Sequence, residues 1–172
     1  KFDVVGLSAY NNNTDLQNIA NSFNCKNTYL AKDGVEGLIS FIKKTEADIC
    51  VNGIAGSAGL LPSVAALQSN KNLALANKET MVMAGPLIKN LAKSKKLDLL
   101  PVDSEHSAVF MLTNGFGKNN IDKIILTASG GPFRTYSKEQ LKTVTLDDAL
   151  KHPTWNMGKK ITIDSATLAN KG

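Results

Sequence analysis

Asp103, Ser104, Glu105 and His106 place two carboxylates, a hydroxyl and an imidazole together where a predicted strand ends. In an extended segment, side chains two residues apart point the same way, so Asp103 and Glu105 would share one side just beyond the strand's carboxyl end. Open α/β sheets bind their ligands there. Such a carboxylate pair suits a hard divalent ion, Mg²⁺ or Mn²⁺, better than Zn²⁺. The spacing equally allows either residue to cap the next helix, so both interpretations stay open.

Two glycine-rich stretches follow predicted strands and are candidates for phosphate binding. The first, GIAGSAG from Gly53 to Gly59, opens a helix, but its GxxGxxG spacing differs from the GxGxxG of a dinucleotide turn. Tight backbone packing is therefore the favoured interpretation. In the second, Ser129, Gly130 and Gly131, a hydroxyl and backbone N–H groups can converge on an anion. A plain turn is the simpler explanation of this second stretch.

A third group of candidate residues lies in the last part of the chain. His152, Trp155 and Met157 belong to a loop punctuated by Pro and Gly, HPTWNMG, and an apolar loop of this kind can close over a ligand and exclude water. Trp155 is equally compatible with a packed core position. A hydroxyl, an amide and an ammonium follow near a predicted helix start, a set suited to phosphate: Ser165, Asn170 and Lys171.

The elements that position these residues alternate between apolar runs of strand length and amphipathic runs of helix length. Nearly continuous apolar strands are buried on both faces, which predicts a parallel, doubly wound α/β sheet. The periodicity weakens beyond residue 97, and we expect a second domain to start near Pro101. Near the end, IDSATLANKG predicts a strand end and then a helix capped by Asp164 or Ser165. Strands are predicted at 2–9, 27–31, 47–51, 73–76, 97–102 and 121–127, and helices at 14–23 (with Thr14 as N-cap), 34–44, 57–68 and 80–93.

Composition narrows the function classes. The net charge is +5, but Arg134 is the only arginine among 20 basic residues, whereas readers of nucleic acid depend on the arginine fork, so no nucleic-acid partner is expected. Cys25 and Cys50 stand alone without metal or disulfide spacing, which fits a reducing compartment. Because no apolar run is long enough for a membrane span and no signal-peptide pattern is present, we expect a soluble, cytosolic protein without a membrane partner.

Five strings of the sequence carry a resemblance to a known family. They are GIAGSAGLLP from Gly53, LALANKET around Lys78, PVDSEHSA around Asp103, SGGPF from Ser129, and HPTWNMGKKITIDSATLANKG from His152. In this order and across nearly the whole chain, they resemble the 1-deoxy-D-xylulose-5-phosphate reductoisomerases of the non-mevalonate isoprenoid pathway. DSEHSA and HPTWNMG are the most specific of these strings.

The resemblance implies a fold, a reaction and cofactors. The fold would be a Rossmann-like parallel sheet lacking its first strand, over residues 1–100, followed by the start of an α+β catalytic domain over residues 101–172. Members of the family rearrange 1-deoxy-D-xylulose 5-phosphate and reduce the product with NADPH to 2-C-methyl-D-erythritol 4-phosphate, with Mg²⁺, Mn²⁺ or Co²⁺ as the metal. The resemblance also implies a homodimer in the bacterial cytoplasm or a plastid-type organelle.

The same resemblance assigns roles residue by residue. Metal ligands would be Asp103 and Glu105, and catalytic residues would be these two together with Lys78 and His152. Substrate contacts would be Ser104, Glu105, Ser129, His152, Trp155, Met157, Ser165, Asn170 and Lys171. Cofactor contacts would be Tyr10, Asn11, Asn12, Gly53, Ile54, Ala55, Asn77, Lys78, Glu79 and Gly158.

The sequence departs from the family pattern in ways that limit these expectations. The family's first strand, its GxTGSxG turn and the third metal carboxylate, which would lie two places beyond Gly172, are absent from the 172 residues. We therefore expect the chain to be an internal fragment, inactive alone, with a partly exposed sheet edge. Tyr10 and Asn11 replace a glycine and a frequent basic residue, which weakens the expected preference for NADPH over NADH. The rival hypotheses are another NADP-dependent oxidoreductase of similar fold and a non-catalytic basic binding module.

Overall fold

Strands and helices alternate along the first part of the chain in the computed structural model, which describes residues 2–169. The chain divides into two units, residues 1–115 and residues 116–172. The alternation lies entirely in the first unit, where every strand pairing is parallel. The predicted α/β class with a parallel, Rossmann-like sheet is thus confirmed.

The strands of the first unit form two small sheets. One pairs β1 with β2, and the other has the order β3-β4-β5. Within the described residues, β1 and β3 each pair on one side only, and Val51 of β3 is 69% exposed. The strands are β1 (Leu7–Ala9), β2 (Thr28–Leu30), β3 (Ile49–Asn52), β4 (Asn72–Leu75) and β5 (Leu99–Pro101).

Helices of the first unit follow these strands in turn. The amphipathic pattern located the first four helices to within a few residues but did not predict the fifth, Ser104–Phe116. The first helix begins earlier than predicted because Asn12, not Thr14, is its N-cap and accepts from the Asp15 N–H. A short 3-10 turn, Gly56–Gly59, precedes α3. The helices are α1 (Asn13–Ser22), α2 (Val35–Lys44), α3 (Leu60–Gln68), α4 (Lys78–Lys95) and α5 (Ser104–Phe116).

The hydrophobic core surrounds β4. Leu73 of this strand is fully buried, and Leu67 of α3 and Ile88 of α4 pack into the same cluster. Burying each such side chain contributes on the order of 2 kcal/mol. Because β4 is the centre of its sheet and is covered by two helices, the polar residues at its carboxyl end are held in a fixed frame.

The second unit consists of short helices joined by loops: α6 (Lys138–Leu141), α7 (Leu146–Ala149) and α8 (Lys159–Thr167). Capping boxes start α6 and α7, at Ser137 and Thr145. The strand predicted at 121–127 was wrong, because this segment has no strand partner within the described residues and Ile125 is 78% exposed. A strand is stable only with a neighbour that accepts its backbone hydrogen bonds.

The strand end and helix cap predicted near residue 164 were also wrong. Asp164 and Ser165 lie inside α8, which Gly158 begins as N-cap. Thr162 and Ser165, three residues apart, are both buried, so the period of the pattern is helical despite the β-branched residues. Thr162 Oγ1 also bonds to the Gly158 carbonyl 3.0 Å away, which satisfies a buried hydroxyl within the helix.

No helix among residues 2–169 has the length and apolar character needed to span a bilayer.

Candidate functional site

Asp103 lies at the start of α5, directly after β5. Its carbonyl accepts the Ser107 N–H at 2.8 Å, so Asp103 occupies the N-cap position of this helix. Its carboxylate Oδ2 lies 2.6 Å from Nζ of Lys78, the first residue of α4. Because β4 and β5 are adjacent parallel strands, the starts of the two following helices meet, and this explains the ion pair.

Ser104 and Glu105 occupy the first turn of α5. The Ser104 hydroxyl donates to Glu105 Oε2 at 2.9 Å. The extended geometry assumed for Asp103 and Glu105 was wrong, because the strand ends at Pro101 and the helix begins at Ser104. The two carboxylates still lie at one helix N-terminus, whose dipole stabilises negative charge. Among residues 2–169, no three His, Cys, Asp or Glu residues are placed to hold a metal ion.

The glycine-rich loop between β3 and α3 presents backbone on an open side. An added Cβ at Gly53 or Gly56 would meet no atom within 4 Å, and Gly56 has a φ of +75° that favours glycine. At Gly59, by contrast, an added Cβ would lie 2.6 Å from Asn77 Cγ. Tight packing therefore accounts for Gly59, as the spacing favoured, while Gly53 and Ala55 remain exposed for a ligand to approach.

Asn77 and Glu79 lie behind this loop, at the start of α4. The Asn77 side chain is buried, and its amide nitrogen faces the Ile54 carbonyl at 2.5 Å and Glu79 Oε2 at 3.0 Å. Tyr10, Asn11 and Asn12 follow β1 in the other small sheet, where Tyr10 is 71% exposed and Asn12 caps α1. The structure thus brings the residues of β3, β4 and β5 together at one sheet edge and leaves the group after β1 separate.

A second polar cluster lies within the second unit. Ser129 Oγ is 3.2 Å from His152 Nε2 and 3.2 Å from Ser165 Oγ. Gly131 also donates its N–H to Ser129 Oγ at 3.3 Å. Gly131 has a φ of +63°, and an added Cβ there would lie 2.6 Å from the Ser165 carbonyl. Ser129, His152 and Ser165 were predicted as substrate contacts, and the fold brings His152 and Ser165 each within hydrogen-bond distance of Ser129.

The hydrogen bonds of His152 fix its neutral tautomer. Its Nδ1 accepts the N–H of Thr154 at 3.1 Å and of Trp155 at 3.0 Å. Because Nδ1 is the acceptor, the neutral ring carries its proton on Nε2 and donates it to Ser129 Oγ. Ser129 Oγ also accepts from Gly131, so its own proton is directed towards Ser165 or a bound ligand.

The loop after His152 is open rather than packed. Trp155 is 57% exposed, which excludes a core position, and its indole stacks on the His152 ring with a centroid distance of 5.1 Å. The Met157 carbonyl accepts from Thr162 Oγ1, which ties the end of this loop to α8. Asn170 and Lys171, two predicted substrate contacts, lie outside the described residues.

Sequence reasoning missed three buried polar residues beneath the glycine-rich loop: Asn52, Ser63 and Thr80. The available signal was a polar side chain at a strand end and two hydroxyls on helices that are otherwise apolar on that face. Sequence reasoning interpreted Gly131 only as a turn or anion-binding residue, and so missed its close approach to the Ser165 carbonyl.

Comparisons with known proteins agree with this geometry. A sequence model of 1-deoxy-D-xylulose 5-phosphate reductoisomerase matches residues 28–85, and a model of the C-terminal domain of that enzyme matches residues 99–172. The Bacillus subtilis 1-deoxy-D-xylulose 5-phosphate reductoisomerase is 50% identical over 173 residues, which cover all of this chain and 43% of that protein. The curated relatives it matches are about twice as long, since the chain spans between 36% and 50% of their length.

Solved structures show the same likeness. A DOX-P reductoisomerase in complex with NADPH, fosmidomycin and magnesium superposes with a TM-score of 0.85 at 32% identity, over 99% of this chain and 49% of that one. The Zymomonas mobilis enzyme in complex with NADPH gives 0.82 at 37% identity, over 99% of this chain and 48% of that one.

The fold and the polar residues at the carboxyl ends of its strands define the class, a Rossmann-like α/β protein. Within that class, the chain belongs to the 1-deoxy-D-xylulose 5-phosphate reductoisomerase family.

Proposed function

We propose that the gene product converts 1-deoxy-D-xylulose 5-phosphate to 2-C-methyl-D-erythritol 4-phosphate, with NADPH and a divalent metal ion. The observation that carries this proposal is the ion pair of Lys78 and Asp103, which lies at the neighbouring carboxyl ends of β4 and β5. This ion pair joins Lys78, which we propose as a catalytic residue, to Asp103, which we propose as a metal ligand. Similar solved reductoisomerases are complexes with NADPH, and one of them also holds magnesium.

The open backbone of the 53–59 loop supports NADPH binding. Gly53 and Ala55 are exposed, and an added Cβ at Gly53 or Gly56 would meet no atom within 4 Å. Glycines, which have no side chain, let a ligand approach the backbone closely. Further contacts proposed for the cofactor are Tyr10, Asn11, Asn12, Ile54, Asn77, Lys78, Glu79 and Gly158.

Asp103 and Glu105 fit a divalent metal by the chemistry of their donors. Both supply hard carboxylate oxygens, the ligands that Mg²⁺ and Mn²⁺ prefer, and both lie in one turn at the start of α5. When bound, the ion would supply Lewis-acid stabilisation of charge on substrate oxygens. Lys78 Nζ lies 2.6 Å from Asp103 Oδ2, so the ammonium orients this carboxylate and compensates its charge.

The polar cluster of Ser129, Gly131, His152 and Ser165 suits the phosphorylated end of the substrate. His152 and Gly131 both donate to Ser129 Oγ, which leaves the hydroxyl protons of Ser129 and Ser165 to be shared with an anionic oxygen. The exposed indole of Trp155 can cover a sugar and exclude water. Ser104, Met157, Asn170 and Lys171 complete the proposed substrate contacts.

We also propose the organisation expected of such an enzyme. Residues 1–100 would bind NADPH and residues 101–172 would begin the catalytic domain, an arrangement favoured by the C-terminal domain match starting at residue 99. The protein would act as a homodimer in the bacterial cytoplasm or a plastid-type organelle, without membrane or nucleic-acid partners.

The test is NADPH oxidation by the gene product, given 1-deoxy-D-xylulose 5-phosphate with and without Mg²⁺ or Mn²⁺. We expect metal-dependent oxidation, and a loss of roughly a hundredfold or more in kcat/KM for Asp103→Asn. Asp98→Asn is the matched control, since Asp98 precedes the other end of β5. Turnover that survives in Asp103→Asn would favour a metal-independent oxidoreductase. Nucleic-acid affinity that falls steeply with salt, without turnover, would favour a basic binding module.

A further inference from the structure

Four polar side chains lie buried beneath the 53–59 loop. Asn52 ends β3, Ser63 is in α3, and Asn77 and Thr80 are at the start of α4, and each of them is at most 3% exposed. Buried polar groups destabilise a fold unless they are hydrogen-bonded. These four bond to one another and to the backbone of the loop, so they form a connected network, here called the loop network.

Asn52 joins the two ends of the loop. Its Oδ1 accepts the Ile54 N–H at 3.0 Å, just after the strand. Its Nδ2 donates to the Gly59 carbonyl at 2.8 Å and to Ser63 Oγ at 2.7 Å. The oxygen and the nitrogen of one side-chain amide therefore bond to the two ends of the loop, at Ile54 and at Gly59, and hold these ends together.

Asn77 joins the same loop to helix α4. Its Nδ2 faces the carbonyls of Ile54 at 2.5 Å and Gly56 at 2.8 Å, whereas its Oδ1 accepts from the N–H and the hydroxyl of Thr80. Ser63 Oγ lies 3.3 Å from Thr80 Oγ1 and connects the two amides. The helix that begins with Lys78 is thus fixed to the loop through buried contacts.

We propose that Asn52 is a positioning residue that holds the 53–59 loop at a set distance from the start of α4, and thereby sets the affinity for NADPH. The inference rests on the proposed function, because it takes the loop and Lys78 as parts of one cofactor site. Asn52 acts through the loop without touching the cofactor, since its side chain is buried and its amide is bonded at both ends. Asn77 carries the same constraint to the helix that presents Lys78 to Asp103.

The test compares Asn52→Asp with Asn72→Asp in the gene product. Asp keeps the oxygen that accepts from Ile54 but loses the two donors to Gly59 and Ser63, so it frees one end of the loop. Asn72, at the amino end of β4, undergoes the same chemical change away from the loop. We expect Asn52→Asp to raise the Kd and KM for NADPH roughly tenfold, with the KM for the sugar phosphate unchanged. Asn72→Asp should leave all three constants as they are.

Ser63→Ala is the second variant, for the case that a buried carboxylate at position 52 prevents folding. Alanine fits the space of serine and removes the Asn52 and Thr80 contacts together, so a smaller rise in the Kd for NADPH is expected. Hydrogen exchange of the amides of residues 53–59 supplies a readout that does not depend on turnover. Exchange in this loop should accelerate in both variants, and exchange in β4 should not.

The outcomes separate this inference from the proposed function. If the wild-type protein binds NADPH and turns over while the variants keep the wild-type Kd, the positioning role is overturned and the function stands. A folded variant with unchanged loop exchange also overturns it. If the wild-type protein neither binds NADPH nor turns over, the proposed function fails, and with it the cofactor role of Asn52.

Discussion

His152 connects two features of the second unit through its two ring nitrogens. Nδ1 accepts the N–H groups of Thr154 and Trp155 and so shapes the turn that carries the indole. Nε2 faces Ser129 in the polar cluster. One side chain therefore couples the conformation of an open loop to the direction in which a hydroxyl proton points, and the two roles can be separated by substitution.

Replacing His152 by Asn or by Gln should have opposite consequences. The Asn carbonyl oxygen reaches the position of Nδ1 and can keep the turn, whereas the Gln amide nitrogen reaches the position of Nε2 and can keep the bond to Ser129. We expect the KM for the sugar phosphate to rise roughly tenfold in His152→Asn and less in His152→Gln. Steady-state kinetics of the gene product measures this order.

The fluorescence of Trp155, the only tryptophan in the sequence, reports the other half of this prediction. Its emission anisotropy should fall more in His152→Gln than in His152→Asn, because the turn is lost in the former. Both variants lose the stacked imidazole, so each serves as the control of the other. Equal anisotropies, or the reverse order of KM values, would contradict the assigned tautomer.

At the scale of elements, two glycines inside helices should respond to alanine with opposite signs. Apart from its chain neighbours Ala84 and Pro86 and the backbone of its own helix, an added Cβ at Gly85 in α4 meets only Met81 Cε at 3.6 Å, an ordinary contact. At Gly37 in α2 an added Cβ would lie 1.9 Å from the Tyr29 hydroxyl oxygen. Alanine stiffens the unfolded chain, so Gly85→Ala should stabilise the protein by roughly 0.5–1 kcal/mol. Gly37→Ala should destabilise it by about 1–3 kcal/mol, since it displaces Tyr29 from Phe41.

Thermal unfolding checks the pair, with an expected rise in Tm of about 1–4 °C for Gly85→Ala. Both variants replace a helical glycine in the first unit, so each controls for helix propensity in the other. Equal shifts of the same sign would show that propensity, and not the space around each Cβ, decides the outcome.

The capping box of α7 should make the stability of the protein depend on pH in the acidic range. Hydrogen bonds from the Thr145 hydroxyl and N–H, and then the Lys151 ammonium, lower the pKa of Asp148. A carboxylate with a lowered folded-state pKa stabilises the fold at pH values above its unfolded pKa, about 3.9, and this contribution is lost as pH falls through the folded-state value. Asp148→Asn should therefore lower the Tm at pH 7, and the difference from wild type should shrink as the pH falls below about 3.9.

Asp147→Asn is the control for that titration, because it removes a charge from the same turn of α7. Thermal midpoints of the three proteins between pH 3 and pH 7 give the comparison. If both substitutions change the midpoint with the same pH dependence, the net charge of the helix and not the Thr145 contacts is responsible.

Local sequence pattern was sufficient for the first unit up to β5, but it did not predict α5 and was insufficient for the second unit. Around Leu73, buried strands and amphipathic helices alternate so regularly that the sequence predicts each element and the parallel sheet. The run at 121–127 has the same apolar character, but a strand also requires a partner, which no local pattern reveals. The contacts of Ser129, His152 and Ser165 lie 23 to 36 residues apart in sequence, so spacing suggested their chemistry but not their meeting.

The loop network shows a further limit. Asn52 and Ser63 are unremarkable in sequence, and their role follows only from burial together with the carbonyls that they face. The ion pair of Lys78 with Asp103 depends likewise on the adjacency of β4 and β5, which was expected from the fold class but not from the residues themselves.

At the scale of the whole molecule, apolar burial is unevenly distributed. Every buried apolar side chain of the described residues lies between Leu16 and Ala92, whereas the buried side chains described beyond residue 115 are the polar Thr162 and Ser165. Because local stability follows apolar burial, the two units should open with different free energies. The polar cluster of the second unit is thus held by hydrogen bonds with little core beneath it.

Hydrogen exchange measured by mass spectrometry on the folded protein tests this distribution. Amides of α3, β4 and the second half of α4 should exchange slowest, and those of residues 116–169 should exchange at least about a hundredfold faster, which corresponds to a difference in opening free energy of about 3 kcal/mol. Exchange of the unfolded chain in denaturant supplies the intrinsic rates for each peptide. Equal protection of α8 and β4 would show that hydrogen bonds such as Ser129 to Ser165 stabilise the second unit as strongly as the core stabilises the first.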